Sequence, residues 1–238
     1  MLLQILNPGA LEMDTTPGQA IETVLRWRDL LPNRILGVIA IAMVLITLKD
    51  LFQLFPSLLS CLGRSKGNVN LEHSMGMSRT RNVLFAAFLL PYCLVADSIG
   101  LIHGPLFDRI PDNWSALATI GVPLLYLLLK LLAYTFFAPA KVSSEQAAAS
   151  RHVILNFTII LSITALLTLG VFATAGVGAE ISRSVILWET AAFWFFSIVR
   201  SGQILASNCN GLTTILYLCA LEILPAALTV CGIAMIKG

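Results

Sequence analysis

Long apolar stretches that are almost free of charge make up most of this chain, and each is about long enough to cross a bilayer. A helix needs about 20 predominantly apolar residues to cross the hydrocarbon core. Only 12% of the 238 residues are charged and 57% are hydrophobic, whereas a typical soluble domain has about 25% charged residues. The pattern therefore predicts an all-helical integral membrane protein.

The apolar stretches predict a transmembrane bundle of about six helices, with five or seven as the alternatives. The predicted spans run from Ile35 to between Ser57 and Leu62, and then over 82–105, 115–138, 153–178, 184–199 and 212–236. The fifth stretch is short and contains Glu189, so its bounds are the hardest to fix. We expect residues 35–238 to form one transmembrane domain.

Residues 1–34 are expected to form a separate N-terminal segment with an amphipathic helix. Thr16 and Pro17 have the order of a helix start, a capping threonine followed by proline. The apolar residues that then recur at helical spacing are Ala20, Val24, Trp27 and Leu31. Such a helix either lies at the membrane surface or packs on the protein's own loops, and the spacing does not separate these interpretations.

Basic residues next to the spans predict the orientation of the chain, because Lys and Arg collect on the cytoplasmic side. Four of them lie between the first and second spans: Arg64, Lys66, Arg79 and Arg81. We therefore expect residues 63–81 to form a cytoplasmic loop and both termini to lie outside. Three arginines ahead of the first span count against this orientation.

Ionisable residues inside the apolar spans are the main chemical signal in the sequence. A charge at mid-bilayer costs at least ~2.5–3.5 kcal/mol on insertion scales, so each requires a reason. These residues are Lys49, Asp50, Asp97, Lys130, Glu189 and Glu222. In the third span, Thr119, Tyr126, Lys130 and Tyr134 follow one another at spacings of seven, four and four residues. This spacing places them on one helix face, which we expect to point into the bundle.

Two interpretations of these residues stay open. In the first, a polar column moves a proton or binds a small solute, with Glu222 and Lys130 at its centre and Asp97 or Glu189 as acids toward the outside. In the second, the charges only hold the bundle in one arrangement. Lys130 would then pair with Glu222, and Lys49 with Asp50, although both members of the latter pair could also reach the cytoplasmic interface.

Several functional classes have no support in the sequence. There is no H-E-x-x-H, G-x-S-x-G or P-loop motif, and the five cysteines show no C-x-x-C spacing. His103 and His152 lie near opposite ends of spans, too far apart to share a haem or a metal. No basic run is long enough to follow a nucleic acid. We therefore expect no cofactor, no metal and no nucleic-acid partner, and a non-enzymatic function is favoured over an intramembrane enzyme acting on lipid.

The block from Tyr217 to Pro225, Tyr-Leu-Cys-Ala-Leu-Glu-Ile-Leu-Pro, points to a family. It resembles the last helix of a multi-pass membrane family of Bacteroidota that is known as a domain of unknown function. The start of the second span, with Arg79, Arg81 and Asn82, is also similar. The resemblance implies a place in the bacterial inner membrane and picks out Glu222 and Pro225. It carries no activity and no functional residues.

The leading hypothesis from the sequence is a transport-related membrane protein that is linked to proton movement. The alternative is a non-catalytic accessory or assembly subunit, whose partner would be another membrane protein or a second copy of the chain within the lipid bilayer. The acids inside the spans favour transport. The lack of an internal repeat, which many transporters have, favours the accessory subunit.

Overall fold

The computed structural model describes residues 27, 29–102, 107, 110–137, 142–207 and 209–235. Within these residues the regular structure is helical, so the predicted all-helical bundle is confirmed. The helices are α1 (Leu31–Gly63), α2 (Ser65–His73), α3 (Met75–Ser98), α4 (Asp112–Phe136), α5 (Ser144–Ala175), α6 (Ala179–Ala206), α7 (Gly211–Leu218) and α8 (Leu224–Met235). One π-helical turn, Cys219–Ile223, joins α7 to α8.

Five segments are long and apolar enough to cross a membrane, which confirms the predicted membrane character. They are α1, α3, α4, α5 and the run Gly211–Ile233 that combines α7, the π turn and most of α8. The predicted fifth span, now α6, is not among them. It has 28 residues, however, and is therefore about 42 Å long. It packs more extensively on α5 than on any other helix. The short connection 176–178 turns the chain back, so α6 packs alongside α5. Among the described residues the candidate spans therefore number five, one fewer than the predicted six and equal to the lower alternative.

The first span begins earlier than predicted. Helix α1 starts at Leu31 rather than at Ile35, with Pro32 in its first turn. Proline is tolerated there because the first turn needs no intrahelical N–H donor. The predicted division between residues 34 and 35 therefore falls inside a continuous helix.

Most of the predicted surface helix lies outside the described residues, which include only Trp27 and Leu31 of its apolar stripe. The Trp27 ring packs on a cluster formed by α1, α3 and α4. Its indole N–H donates to Asp97 at 2.6 Å, whereas Leu31 is exposed. The interpretation that the stripe faces lipid is therefore wrong at Trp27, because the partly buried Asp97 carboxylate holds the indole against α3 and α4.

The predicted loop over residues 63–81 is wrong, because the chain there forms α2 and the first turns of α3. Helix α2 lies directly on the end of α1. The Nδ2 group of Asn68 donates to the carbonyl of Cys61 at 3.2 Å, and the Asn68 side chain accepts from Asn156 of α5 at 2.8 Å. These bonds satisfy polar groups that an exposed loop would leave to water.

A carboxylate on α2 joins three helices. Glu72 accepts from Arg81 of α3 at 2.5 Å and lies 3.1 Å from Nδ1 of His152 on α5. The Arg81 side chain is 0% exposed. Burial alone would raise the pKa of Glu72, but the hydrogen bonds and charges of His152 and Arg81 lower it to about 2. Arg81, which the sequence places in a predicted cytoplasmic loop, is thus part of a buried ion pair.

Replacing Glu72 by Gln is expected to destabilise the protein at neutral pH and to have less effect as the pH falls. The pKa of Glu72 falls from 4.5 to about 2 on folding. Its stabilising contribution is therefore fully present above about pH 4.5 and is lost as the pH falls through 2. One pKa unit corresponds to about 1.4 kcal/mol, so a pKa lowered from 4.5 to about 2 corresponds to about 3 kcal/mol before solvent screening. Because solvent screens this partly buried carboxylate, we expect the free energy of unfolding to fall by about 2 kcal/mol at pH 7.

The measurement is the thermal midpoint of both proteins in detergent between pH 7 and pH 3. Glu145→Gln is the control, because Glu145 is 61% exposed and faces His73 at 3.5 Å. A deficit of Glu72→Gln that stays constant over this pH range would contradict the role assigned to the ionised carboxylate.

Two helices form the centre of the bundle. Half of the membrane-spanning window of α3 and of α5 is buried, compared with 11% for α1 and 22% for α4. Helices α1, α4 and α6 pack around this pair, and the α7–α8 run packs on α4 and α6. Polar side chains on the inner faces of α4, α6 and the π turn are therefore directed toward the same interior.

Candidate functional site

The polar stripe on α4 points into the bundle, as its spacing predicts. The side chains of Thr119, Lys130 and Tyr134 are buried, and Tyr126 is half-buried. The other faces of α4 carry exposed leucines such as Leu124 and Leu128. The stripe is therefore the face of α4 that meets the other helices.

Lys130 and Glu222 form an ion pair inside the bundle. The Nζ atom of Lys130 lies 2.7 Å from Oε2 of Glu222, and the two side chains are 2% and 0% exposed. The Tyr134 hydroxyl donates to the other carboxylate oxygen, Oε1, at 3.3 Å. The Nζ atom also lies 5.9 Å from the centre of the Tyr134 ring. Both oxygens of the buried carboxylate thus have a partner, as a charge in an apolar interior requires.

Two serines extend this cluster to α5 and α6. The Tyr134 hydroxyl lies 2.9 Å from Oγ of Ser150, and the Ser201 hydroxyl donates to the Ser150 carbonyl at 3.2 Å. Both serines are fully buried. They are not predictable from the sequence, since nothing in the local pattern of α5 or α6 shows that these serines face Tyr134.

Glu222 lies in the π-helical turn. The N–H of Leu224 donates to the carbonyl of Cys219, five residues earlier. Pro225 explains this geometry, because in a regular α-helix its ring would clash with the carbonyl of Leu221 and it has no N–H to donate. Widening the turn by one residue relieves the clash. Single π turns inside α-helices occur frequently at functional sites.

Asp97 belongs to a separate cluster near the other end of α4. Its Oδ1 atom accepts from Ser115 at 2.5 Å and from Thr119 at 2.9 Å, and its Oδ2 atom accepts from Trp27. Three donors thus satisfy this carboxylate without Lys130 or Glu222. Asp97 ties Trp27, which precedes α1, to α3 and α4, and the geometry does not join it to the ion pair.

Glu189 is also separate from the ion pair, and it is incompletely paired. Thr168 of α5 donates to its Oε1 atom at 2.7 Å. Its Oε2 atom is buried and has no hydrogen-bond partner among the described residues. The next residue, Thr190, lies 2.8 Å from the hydroxyl of Tyr92 on α3. In the part of the chain that the structure describes, one carboxylate oxygen of Glu189 is therefore free to accept a hydrogen bond.

A cavity of about 140 Å³ lies between α3, α4, α5 and α6. Six aromatic residues line it: Phe85, Tyr92, Tyr126, Phe157, Phe193 and Trp194. The buried Tyr126 hydroxyl lies near Trp194, but in the described part of the chain it has no partner at hydrogen-bond geometry. Since a water molecule takes up about 30 Å³ in the liquid, the cavity has room for a few waters or one small solute.

Lys49 and Asp50 do not form the pair that the structural interpretation predicts. Lys49 is exposed and Asp50 is half-buried, and no described residue makes an ion pair with either. Adjacent residues on a helix point about 100° apart, so their charged groups do not meet. The alternative, in which both reach toward the membrane interface, fits their exposure.

No group of three or more His, Cys, Asp or Glu side chains in the described residues could hold a metal ion. The cluster around Glu222 contains one acid, one ammonium group and hydroxyl groups, all of which form hydrogen bonds. Comparison of the chain with protein-family models, curated proteins and solved structures finds no match, so the resemblance to the Bacteroidota family stays a prediction.

Proposed function

We propose that this chain is a transport-related membrane protein in which the Lys130–Glu222 pair responds to protons. The observation that carries the proposal is the almost complete burial of this pair, with Glu222 in a π-helical turn and Lys130 on α4. Desolvating two charges is expensive, and apolar residues of similar volume often stabilise a protein equally well. If these two residues only held α4 and the π turn together, apolar side chains could do the same and no ion pair would be required.

Protonation of Glu222 would be coupled to a rearrangement. A proton that reaches the Glu222 carboxylate removes the negative charge and leaves the Lys130 ammonium unpaired in a buried site. That state costs several kcal/mol, so the ammonium group must move, lose its proton or find another acceptor. Only one of its three N–H donors is used by a described residue. The π turn supplies an element that can change its hydrogen-bond register.

A discontinuous series of polar groups leads away from the pair through the bundle. Tyr126 lies one turn before Lys130 on α4 and lines the cavity. On the opposite wall are Tyr92 and Thr190, next to the incompletely paired Glu189. Water in the cavity would connect these groups into a path for protons. Asp97, which has three donors of its own, is not part of this series.

The orientation and location of the protein belong to the same proposal. The basic residues of the described chain concentrate at one end of the bundle: Arg64, Lys66, Arg79, Arg81, Arg151 and Arg200. This end, which we call the arginine-rich end, would face the cytoplasm. The resemblance to the Bacteroidota family supports the bacterial inner membrane as the location.

Proton movement into proteoliposomes tests the function. Vesicles that contain the protein and a trapped pH-sensitive dye are given a potassium diffusion potential, negative inside. We expect the wild-type protein to acidify the interior faster than protein-free vesicles do. Glu222→Gln is expected to reduce this rate at least tenfold, because glutamine keeps the shape of glutamate but carries no exchangeable charge.

The matched control is Glu180→Gln, which makes the same change at an exposed position in the first turn of α6. It should leave the rate unchanged. A wild-type rate equal to that of empty vesicles, or equal rates for wild type and Glu222→Gln, would overturn the proposal. A stoichiometric membrane-protein partner recovered from native membranes in that case would support the accessory-subunit alternative.

A further inference from the structure

We infer that the groove between α1 and α3 binds an anionic phospholipid, with the phosphate at Arg79 and one acyl chain along the apolar wall. This inference is independent of the proposed proton-linked function. It rests on the shape of the groove, on a cation at one end of it that has no partner among the described residues, and on the position of that cation near the membrane surface.

The groove has a volume of about 420 Å³ and is almost entirely apolar. On α1 its wall is formed by Met43, Ile46 and Thr47, which lie on one face at i, i+3 and i+4. On α3 the wall continues through Val83 and Ala86. Ile46 is 79% exposed and Val83 is 48% exposed, so the groove opens outward into the bilayer.

A cation lies at one end of this apolar wall. Arg79 is exposed, and its side chain makes no hydrogen bond or ion pair with any residue that the structure describes. Its neighbour Arg81 is neutralised by Glu72. The positive charge at the groove is therefore available to a ligand.

A second donor lies next to Arg79. The side-chain oxygen of Asn82 accepts from Nε and Nη2 of Arg81 at 3.2 and 3.0 Å. This orients the amide and leaves its Nδ2 group without a partner among the described residues. Lys49, one turn after Ile46 on α1, is also exposed and without an ion pair in the described chain. A phosphate at Arg79 would thus find both charge and hydrogen-bond donors.

The depth of these groups matches an amphiphile that stands in one leaflet. Arg79 lies four residues from the start of α3, which is about 6 Å along the helix axis. The apolar wall extends from there toward the centre of the bilayer. A charged head group near the surface with a hydrocarbon chain below it fits this arrangement, and basic sites between transmembrane helices are known to hold such lipids.

Lipid binding to the purified, delipidated protein in detergent tests the inference. Native mass spectrometry gives dissociation constants for phosphatidylglycerol and for phosphatidylcholine with the same acyl chains. We expect phosphatidylglycerol to bind more tightly, and Arg79→Gln to weaken its binding about fivefold, the effect of losing one cation at a membrane surface. Arg64→Gln is the control, because it removes an exposed charge at the same end but outside the groove.

A second variant tests the acyl-chain part of the site without changing charge. Ala86→Leu places a larger side chain in the groove and is expected to weaken phosphatidylglycerol binding while leaving the thermal midpoint near that of the wild type. Equal affinity for the two lipids, or equal losses for Arg79→Gln and Arg64→Gln, would overturn the inference. Stabilisation by inorganic phosphate alone would likewise overturn it, since it would indicate a simple anion site.

Discussion

Lys130→Met is expected to lower the free energy of unfolding by about 3–5 kcal/mol, because it leaves the Glu222 carboxylate buried without its ammonium partner. The double variant Lys130→Met with Glu222→Gln removes both charges and should recover most of this loss. Glutamine at position 222 can still accept the hydrogen bond of Tyr134. Thermal midpoints in detergent and yields of folded protein compare the stability of the wild type, the single variant and the double variant.

The control for this series is Lys49→Met, which removes a lysine that is also in a membrane-spanning helix but is exposed and unpaired among the described residues. It should change the midpoint little. The double variant also distinguishes a structural role of the ion pair from a role in proton movement. If it regains stability and also moves protons at the wild-type rate, the ion pair is purely structural and the transport proposal fails.

Gly67→Ala is expected to destabilise the protein by about 3 kcal/mol, the upper end of the usual cost of overpacking. A Cβ atom at Gly67 would lie 2.7 Å from the carbonyl carbon and oxygen of Ser60 and 2.9 Å from the nitrogen of Cys61. These are backbone atoms of α1, so no side-chain rotation can relieve the contact. Helix α2 would have to move away from α1, which would also strain the bond between Asn68 and Cys61.

Gly76→Ala is the matched control, because Gly76 lies in the first turn of α3 and a Cβ atom there meets nothing within 4 Å. We expect no loss of stability, or a small gain from the reduced freedom of the unfolded chain. Thermal midpoints and protease cleavage between α1 and α3 measure both variants. Equal behaviour of the two alanine variants would show that the close approach of α2 to α1 is not required.

The sequence predicts the membrane-embedded helical bundle, because hydropathy over about 20 residues is a local property. The polar face of α4 is predictable for a similar reason, since helical spacing alone places Thr119, Tyr126, Lys130 and Tyr134 together. The same local reasoning fails over residues 63–81. There the sequence places Arg81 in a predicted loop. Its partner Glu72 comes close only when α2 packs on the bundle, and no local pattern indicates this contact.

The candidate site was predictable in its residues but only partly in its contacts. Its acids and lysines are visible because charge is rare in apolar spans, and the pairing of Lys130 with Glu222 could be stated only as one interpretation. Ser150 and the π turn around Glu222 have no clear sequence signal, although Pro225 gives a reason to expect an irregular helix. The three donors that hold Asp97 likewise have no clear sequence signal.

The sequence by itself determined that this protein is a helical membrane protein and which face of α4 turns inward. The tertiary structure alone decided which polar groups meet. Lys130 and Glu222 are 92 residues apart in the chain, and Trp27 reaches Asp97 across 70 residues. Periodicity fixes the direction of a side chain relative to its own helix. The partner that it meets depends on how the helices pack, which is set by the shapes and contacts of many residues at once.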